Sequence, residues 1–289
     1  MAANDGKLVA GKGAPAVAPG AYWALAALCA MNLLNYIDRF ILAAVSAPVQ
    51  KDLDVPGKAL TGILGMAFLV SYSLCSPLMG WLGDRMRRTH LLALGVGTWS
   101  LATFASGLAG YLHLPAFGGL SGGFWEMLAA RSVLGVGEAT YTILAPALIA
   151  DLFPRERRSL ALAVFYIAIP IGAALGYGLG GVIDRLYGWR AAFFVVGLPG
   201  LVVALLALAL REPRRGETEA GGPAQTPPPP PVARLAGELA RNRSYVFNLL
   251  GMAMFAFALG GLQFWAPDFF ETERHLDRVQ VNVWLGAVV

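Results

Sequence analysis

The sequence is short of charge: Lys and Arg total 22 and Asp and Glu 18 in 289 residues, 14% against the roughly 25% usual in soluble domains. Cysteine is scarcer still. Cys29 and Cys75 both sit inside apolar runs, so no disulfide framework is available. The three histidines, His90, His113 and His275, have no partner at ligand spacing, and no metal site or cofactor is expected. Glycine-rich phosphate loops and nucleophile–base pairs are absent from the polar stretches, so nothing points to an enzyme or a catalytic residue. What the chain has in excess is apolar sequence, 57% of it. That excludes a soluble globular domain, a disordered chain and a fibre. The long continuous runs also exclude an outer-membrane barrel, whose strands are short and alternate.

A window of about 20 residues finds apolar spans over 22–47, 60–83, 89–112, 123–152, 159–183, 191–210 and 245–270, with an eighth beginning near Val279. Alternating these from a cytoplasmic amino terminus places 14 of the 22 lysines and arginines inside and 6 outside, with Arg39 and Arg131 within spans. The positive-inside rule is therefore satisfied, and the net charge of +4 is topological rather than a nucleic-acid footprint. Residues 1–21 read as a cytoplasmic tail, 22–210 as a six-span domain and 211–244 as a cytoplasmic linker. The linker contains Pro227–Pro231, which favours extended polyproline structure. Residues 245–289 read as the start of a second membrane domain.

Sliding spans one to three over four to six at an offset of 100 aligns Asp38 with Glu138, Gly80 with Gly180, Asp84 with Asp184, Arg85 with Arg185 and Gly97 with Gly197. Because three is odd, the second copy is inverted, the construction of a transporter half. The expected fold is all-α and polytopic.

The motifs carry a resemblance. Gly80, Asp84, Arg85 and Arg88, between spans two and three, resemble the cytoplasmic signature loop of the major facilitator superfamily, and Arg131, Gly135 and Gly137 are similar to its second motif. Within it, Asn35, Tyr36, Asp38 and Arg39, then Gly137 with Glu138, Asp151 with Pro154, and Tyr166 with Pro170 and Gly172 are similar to the spinster-like branch. The resemblance implies a major facilitator fold, a six-helix half of 3+3 inverted repeats followed by an incomplete second half. It implies twelve-helix carriers, of which characterised eukaryotic ones export lysophospholipids or sphingosine phosphate. The missing second half is then expected to be needed for activity.

An ionisable residue at bilayer depth costs at least about 2.5–3.5 kcal/mol, which makes Asp38, Arg39, Arg131 and Glu138 the candidate proton-coupling and substrate site, with Asn35 and Tyr36 beside them. Helical rise puts Asp38 and Arg131 at similar heights. Protonating Asp38 would release Arg131 or Arg39 to an anionic headgroup, which a guanidinium can grip bidentately. A permanent structural ion pair is the plainer alternative. By resemblance, Asp84 belongs to a gating loop with Gly80, Arg85 and Arg88, although positive-inside anchoring explains much of its arginine content. Gly172, Gly176 and Gly180 recur on one helical face and permit close packing, and Pro170 can kink the fifth span. Most tryptophans, Trp99 and Trp189 among them, are expected at interfacial belts.

The leading expectation is a proton-linked secondary carrier of an amphipathic anion such as a lysophospholipid, in the inner (cytoplasmic) membrane. Its partners would be the lipid bilayer, a small amphipathic or anionic substrate and protons. A sugar-acid or organic-anion:proton symporter is the same-class alternative, and a non-transporting scaffold or receptor the alternative from another class.

Overall fold

Inside hydrocarbon each backbone N–H and C=O must be satisfied within its own segment, so the apolar runs fold as helices. A computed structural model describes residues 17–218 and 232–288. Its helices are α1 (Ala21–Ala44), α2 (Ser46–Asp52), α3 (Lys58–Gly83), α4 (Arg88–Gly107), α5 (Gly122–Leu152), α6 (Arg155–Tyr166), α7 (Ala168–Tyr187), α8 (Trp189–Leu208), α9 (Val232–Arg241), α10 (Arg243–Thr272) and α11 (Arg278–Val288). Six stretches are long and apolar enough to cross a membrane: α1, α3, α5, α6 with α7, α8 and α10. α4 is not among them, because Arg88, His90 and several hydroxyl residues dilute its apolar content.

α4 packs between α5 and α8, α3 lies on α5, and α1 lies on α7 and α8. The apolar core falls into two clusters. One, around the amino-terminal part of α1 and the carboxy-terminal part of α5, includes Ala18, Leu28, Leu91, Leu148 and Leu152. The other, around the opposite ends of the same helices, includes Ile41, Leu53, Phe124 and Phe193. Arg88 and Glu126 are buried close to the starts of α4 and α5, whereas Asp38, Arg131 and Glu138 lie near the junction of the two clusters. Two glycines set the spacing there: a Cβ on Gly135 would strike the α3 backbone at Phe68 and Tyr72, and one on Gly137 would meet the α4 backbone at Gly95 O, 2.5 Å. No side chain fits at either, so α5 is held tightly between α3 and α4.

Several expectations are corrected. The third span stops at Gly107 rather than residue 112, and irregular chain leads to Ser121, which caps α5. The fifth span is two helices broken at Ile167. Pro170 has no N–H to give the carbonyl of Tyr166, and the ladder lapses there; Asn32 Nδ2 donates to the neighbouring Phe165 O at 2.9 Å. Trp99 and Trp189 are buried rather than interfacial; Trp99 packs edge-on against Tyr141, and Trp189 donates to Asp52. Within the linker, α9 forms over Val232–Arg241, and residues 211–218 fold back onto Thr89 and Asp151. Pro227–Pro231 and the tail to residue 16 lie outside the described residues.

Among the described residues, α10 meets the first six spans at its carboxy-terminal end. From Arg243 to Gly261 most of its surface is exposed, whereas Phe264 and Trp265 lie against Gly65 and Gly62 of α3. Lys58 binds Asp268 at 2.6 Å, and the Tyr177 hydroxyl donates to Gln263 O.

Candidate functional site

Asp38, on α1, is fully buried, as are Arg131 and Glu138 on α5. Two ion pairs cross between these helices. Arg131 Nη1 stands 3.7 Å from Asp38 Oδ1, and Arg39 Nη2 is 2.5 Å from Glu138 Oε2. The repeat-equivalent acids thus each take an arginine from the other repeat. Seven residues separate Arg131 from Glu138, two turns and about 10 Å along one face of α5, and the adjacent Asp38 and Arg39 of α1 reach one each.

The two pairs differ in completeness. Asp38 Oδ2 accepts the Thr103 hydroxyl at 2.5 Å, but Oδ1 has no hydrogen bond. Arg131 leaves Nε and Nη1 without hydrogen-bond partners, Arg39 its Nε, Glu138 its Oε1 and Asn35 its Nδ2. Burying polar atoms unpaired costs about 1–3 kcal/mol each, more when charged, and several such atoms gather around these two pairs. The Arg39 guanidinium lies 5.0 Å from the ring centres of both Tyr36 and Phe68 and 5.9 Å from that of Tyr72. Phe68 also carries Arg131 at 5.7 Å. The Arg39 side chain is 24% exposed against 1% for Arg131, so Arg39 is the cation that something outside the bundle can reach. The surface concavities at Ala47–Pro56 and between α4 and α8 contain none of these charges.

The signature loop is arranged differently from its sequence reading. Asp84 is the C-cap of α3 and pairs with Arg215 of the linker at 3.2 Å, both exposed. Arg85 stacks on Trp81, 4.0 Å from its ring centre. Gly80 has only Ile143 near, at 3.9 Å from a built Cβ. Arg88 is not a loop residue: it begins α4, is buried, and binds Asp151 at 2.6 Å and Glu212 at 3.4 Å. Glu212 also takes the Thr89 N–H at 2.8 Å. Burial pushes its carboxyl up, but the hydrogen bonds from Thr89 and Arg88 and the Arg88 charge outweigh that and hold it below the ordinary value. Arg88 therefore fastens the start of the linker to the first six spans.

Gly172, Gly176 and Gly180 face α1, where added Cβ atoms would meet Tyr36, Ile37 O and Ala44 at 2.6, 2.7 and 2.8 Å. Pro170 sits in the first turn of α7, beside the break. At the outer end of α7, Asp184 meets Arg278 of α11 at 3.5 Å, and Asn282 donates to Ala44 O at 3.3 Å.

Sequence reasoning missed Thr103 and Phe68. A hydroxyl in the least apolar span was a signal for Thr103; Phe68, one phenylalanine in an apolar run, gave none.

The Major Facilitator Superfamily family model matches residues 28–289. The chain is 41% identical over 251 residues to rat protein spinster homolog 1, covering 86% of this chain and 45% of that protein. It is 35% identical over 240 residues to the zebrafish sphingosine-1-phosphate transporter SPNS2, covering 82% and 45%. In structure it is similar to a bacterial homologue of the human lysosomal transporter spinster, crystallised inward-facing and unoccupied, with a TM-score of 0.75, 25% identity, and coverage of 93% and 59%. The chain spans about half the length of the curated relatives it matches.

Proposed function

Because the chain belongs to the major facilitator superfamily, we propose that it forms the first half and the opening helices of a proton-linked carrier of amphipathic anions, a lysophospholipid or a long-chain phosphate ester. The observation that carries the reading is the crossed pair of intramembrane ion pairs with its surplus of unpartnered polar atoms. A guanidinium that is still partly open, walled by Tyr36, Phe68 and Tyr72, suits a phosphate head with an apolar tail beside it. The zebrafish relative, by its name, transports sphingosine-1-phosphate.

Residues 22–210 form one transporter half, with the amino terminus and linker cytoplasmic in an inner membrane. The second half closes the site from the other side, so activity belongs to the whole protein. The two halves touch where α3 and α7 meet α10 and α11. Protonation of Asp38 frees Arg131 from its counter-charge, and an anionic head takes the carboxylate's place. The carrier thereby couples proton and substrate.

The test is flux of a labelled lysophospholipid or sphingosine phosphate in proteoliposomes of the full-length protein under an imposed pH gradient. Flux should follow the gradient, and Asp38→Asn should remove the pH dependence per unit of reconstituted protein. A D38N profile matching the wild type would overturn the proton role, and flux of a sugar acid but no lipid would overturn the substrate class.

A further inference from the structure

Asp38 is fully buried, yet a coupling carboxyl must exist both with and without its proton. We infer that Thr103 is the positioning residue that makes both states of Asp38 acceptable, by turning a single hydroxyl between two acceptors. The inference rests on the proton-coupling reading above.

Thr103 Oγ1 lies 2.5 Å from Asp38 Oδ2 and 3.0 Å from the carbonyl of Trp99, one turn back on α4. A hydroxyl has one hydrogen to donate, so it serves one acceptor at a time. Ser100 and Ser106, on the same helix, make the same back-bond to Val96 and Ala102 at 2.7 and 3.0 Å, with no carboxylate partner among the described residues. Thr103 has the second acceptor, and it is an acid that is fully buried.

With Asp38 ionised, the Thr103 hydrogen points to the carboxylate, because a charge-assisted bond is stronger than one to a neutral carbonyl. When a proton forms an O–H bond on Asp38 Oδ2, that carboxyl donates to Thr103 Oγ1. The Thr103 O–H bond stays intact and swings onto Trp99 O. Each donor keeps an acceptor in both states, and one rotation about Cβ–Oγ is the only movement needed. The charged groups facing Asp38 are Arg131 and Glu138 from α5 and Arg39 on its own helix. The charged residues of α7 and α8, Asp184, Arg185 and Arg190, lie at their outer ends. Arg131, at 3.7 Å, supplies charge but no hydrogen bond. Among the described residues, the hydroxyl is therefore the one group that fixes the direction of the carboxyl.

The experiment compares the wild type with Thr103→Val and Thr103→Ser, and with D38N, in the full-length protein. Two quantities are read: the pH midpoint of flux, and the carboxylic C=O band in pH-difference infrared spectra, assigned to Asp38 by its loss in D38N. Valine keeps the shape and removes the hydroxyl, so the ionised acid loses its hydrogen bond and the midpoint of flux should move up by about one to two pH units, with a shifted band. T103S should restore both. If T103V fails to accumulate, Thr103→Ala is read the same way. An unmoved midpoint and band in T103V or T103A would overturn the inference while a pH-independent D38N leaves the proton reading intact. A D38N variant with wild-type pH dependence would overturn both.

Discussion

The two inverted repeats of the first half, α1–α4 and α5–α8, keep acids at the same offsets and use them differently. At bilayer depth Asp38 is held by a hydroxyl, with its arginine at 3.7 Å, whereas Glu138 touches its arginine directly at 2.5 Å. At the faces, Asp84 meets an exposed linker arginine, while Asp184 meets Arg278 with both side chains less than one-fifth exposed. The third helices still pack reciprocally: a Cβ on Gly97 would reach Ala204 on α8, and one on Gly197 would reach the α4 backbone at Phe104. The lesson is that the repeat conserves where charges stand, and the neighbouring helices decide what each one does.

The largest expected effect tests the interior difference. D38N strands Arg131, which is 1% exposed, without its carboxylate, and losing one partner of a buried pair costs about 3–5 kcal/mol. Glu138→Gln strands Arg39, but that guanidinium keeps Tyr36 and Phe68 beneath it and is partly exposed. Its loss should be about 1–3 kcal/mol. Unfolding of the detergent-solubilised protein followed by near-ultraviolet circular dichroism measures both. Equal losses would mean that the two acids are interchangeable and that the contrast in their surroundings is without consequence.

The same contrast shows how far the sequence could be read. Six of the apolar spans, the inverted repeat and the four charges within spans were legible, because hydropathy and charge in lipid are severe local constraints. Which arginine pairs with which acid was not: Asp38 lies beside Arg39 in sequence, yet Arg131 is its partner, since Arg39 leaves α1 on another side toward Glu138. Arg88 was read with the loop because its two neighbouring arginines, Arg85 and Arg87, suggested a solvated cluster. Its true partners, Asp151 and Glu212, are far away in the chain and no periodicity links them. Thr103 was hidden for the same reason, its importance residing in a contact across 65 residues.

Glycines test the comparison at an intermediate scale. Gly80 and Gly180 are equivalent by offset, but a Cβ on Gly80 meets only Ile143 at 3.9 Å, while one on Gly180 meets Ala44 Cβ at 2.8 Å. Gly180→Ala must push α7 away from α1 and should cost about 1–3 kcal/mol. Gly80→Ala, at ordinary contact distance near a helix end, should be neutral or stabilising by up to about 1 kcal/mol. Thermal unfolding of both variants in one detergent reads the difference. A harmless G180A would show that α1 and α7 are not in the close register described here, and the asymmetry of the repeats at this position would vanish.

The faces give the smallest effect and the sharpest sign. Asp184→Asn removes one of the two carboxylates on Arg278, which keeps Glu271 at 2.7 Å, and α11 retains the Asn282 bond to Ala44. Such a partly exposed pair is worth at most about 1 kcal/mol. Buried Val281, replaced by cysteine, reports on opening of this contact. A membrane-impermeant maleimide added outside should label it up to about fivefold faster in D184N. Asp84→Asn, on the opposite face and with a pair that is already exposed, should leave that labelling within about twofold. Because the two acids come from equivalent positions, a common effect of any general loosening would appear in both variants. Faster labelling confined to D184N isolates the outer contact as the one that holds α11 against the first half, and faster labelling in both would dissolve the distinction between the two faces.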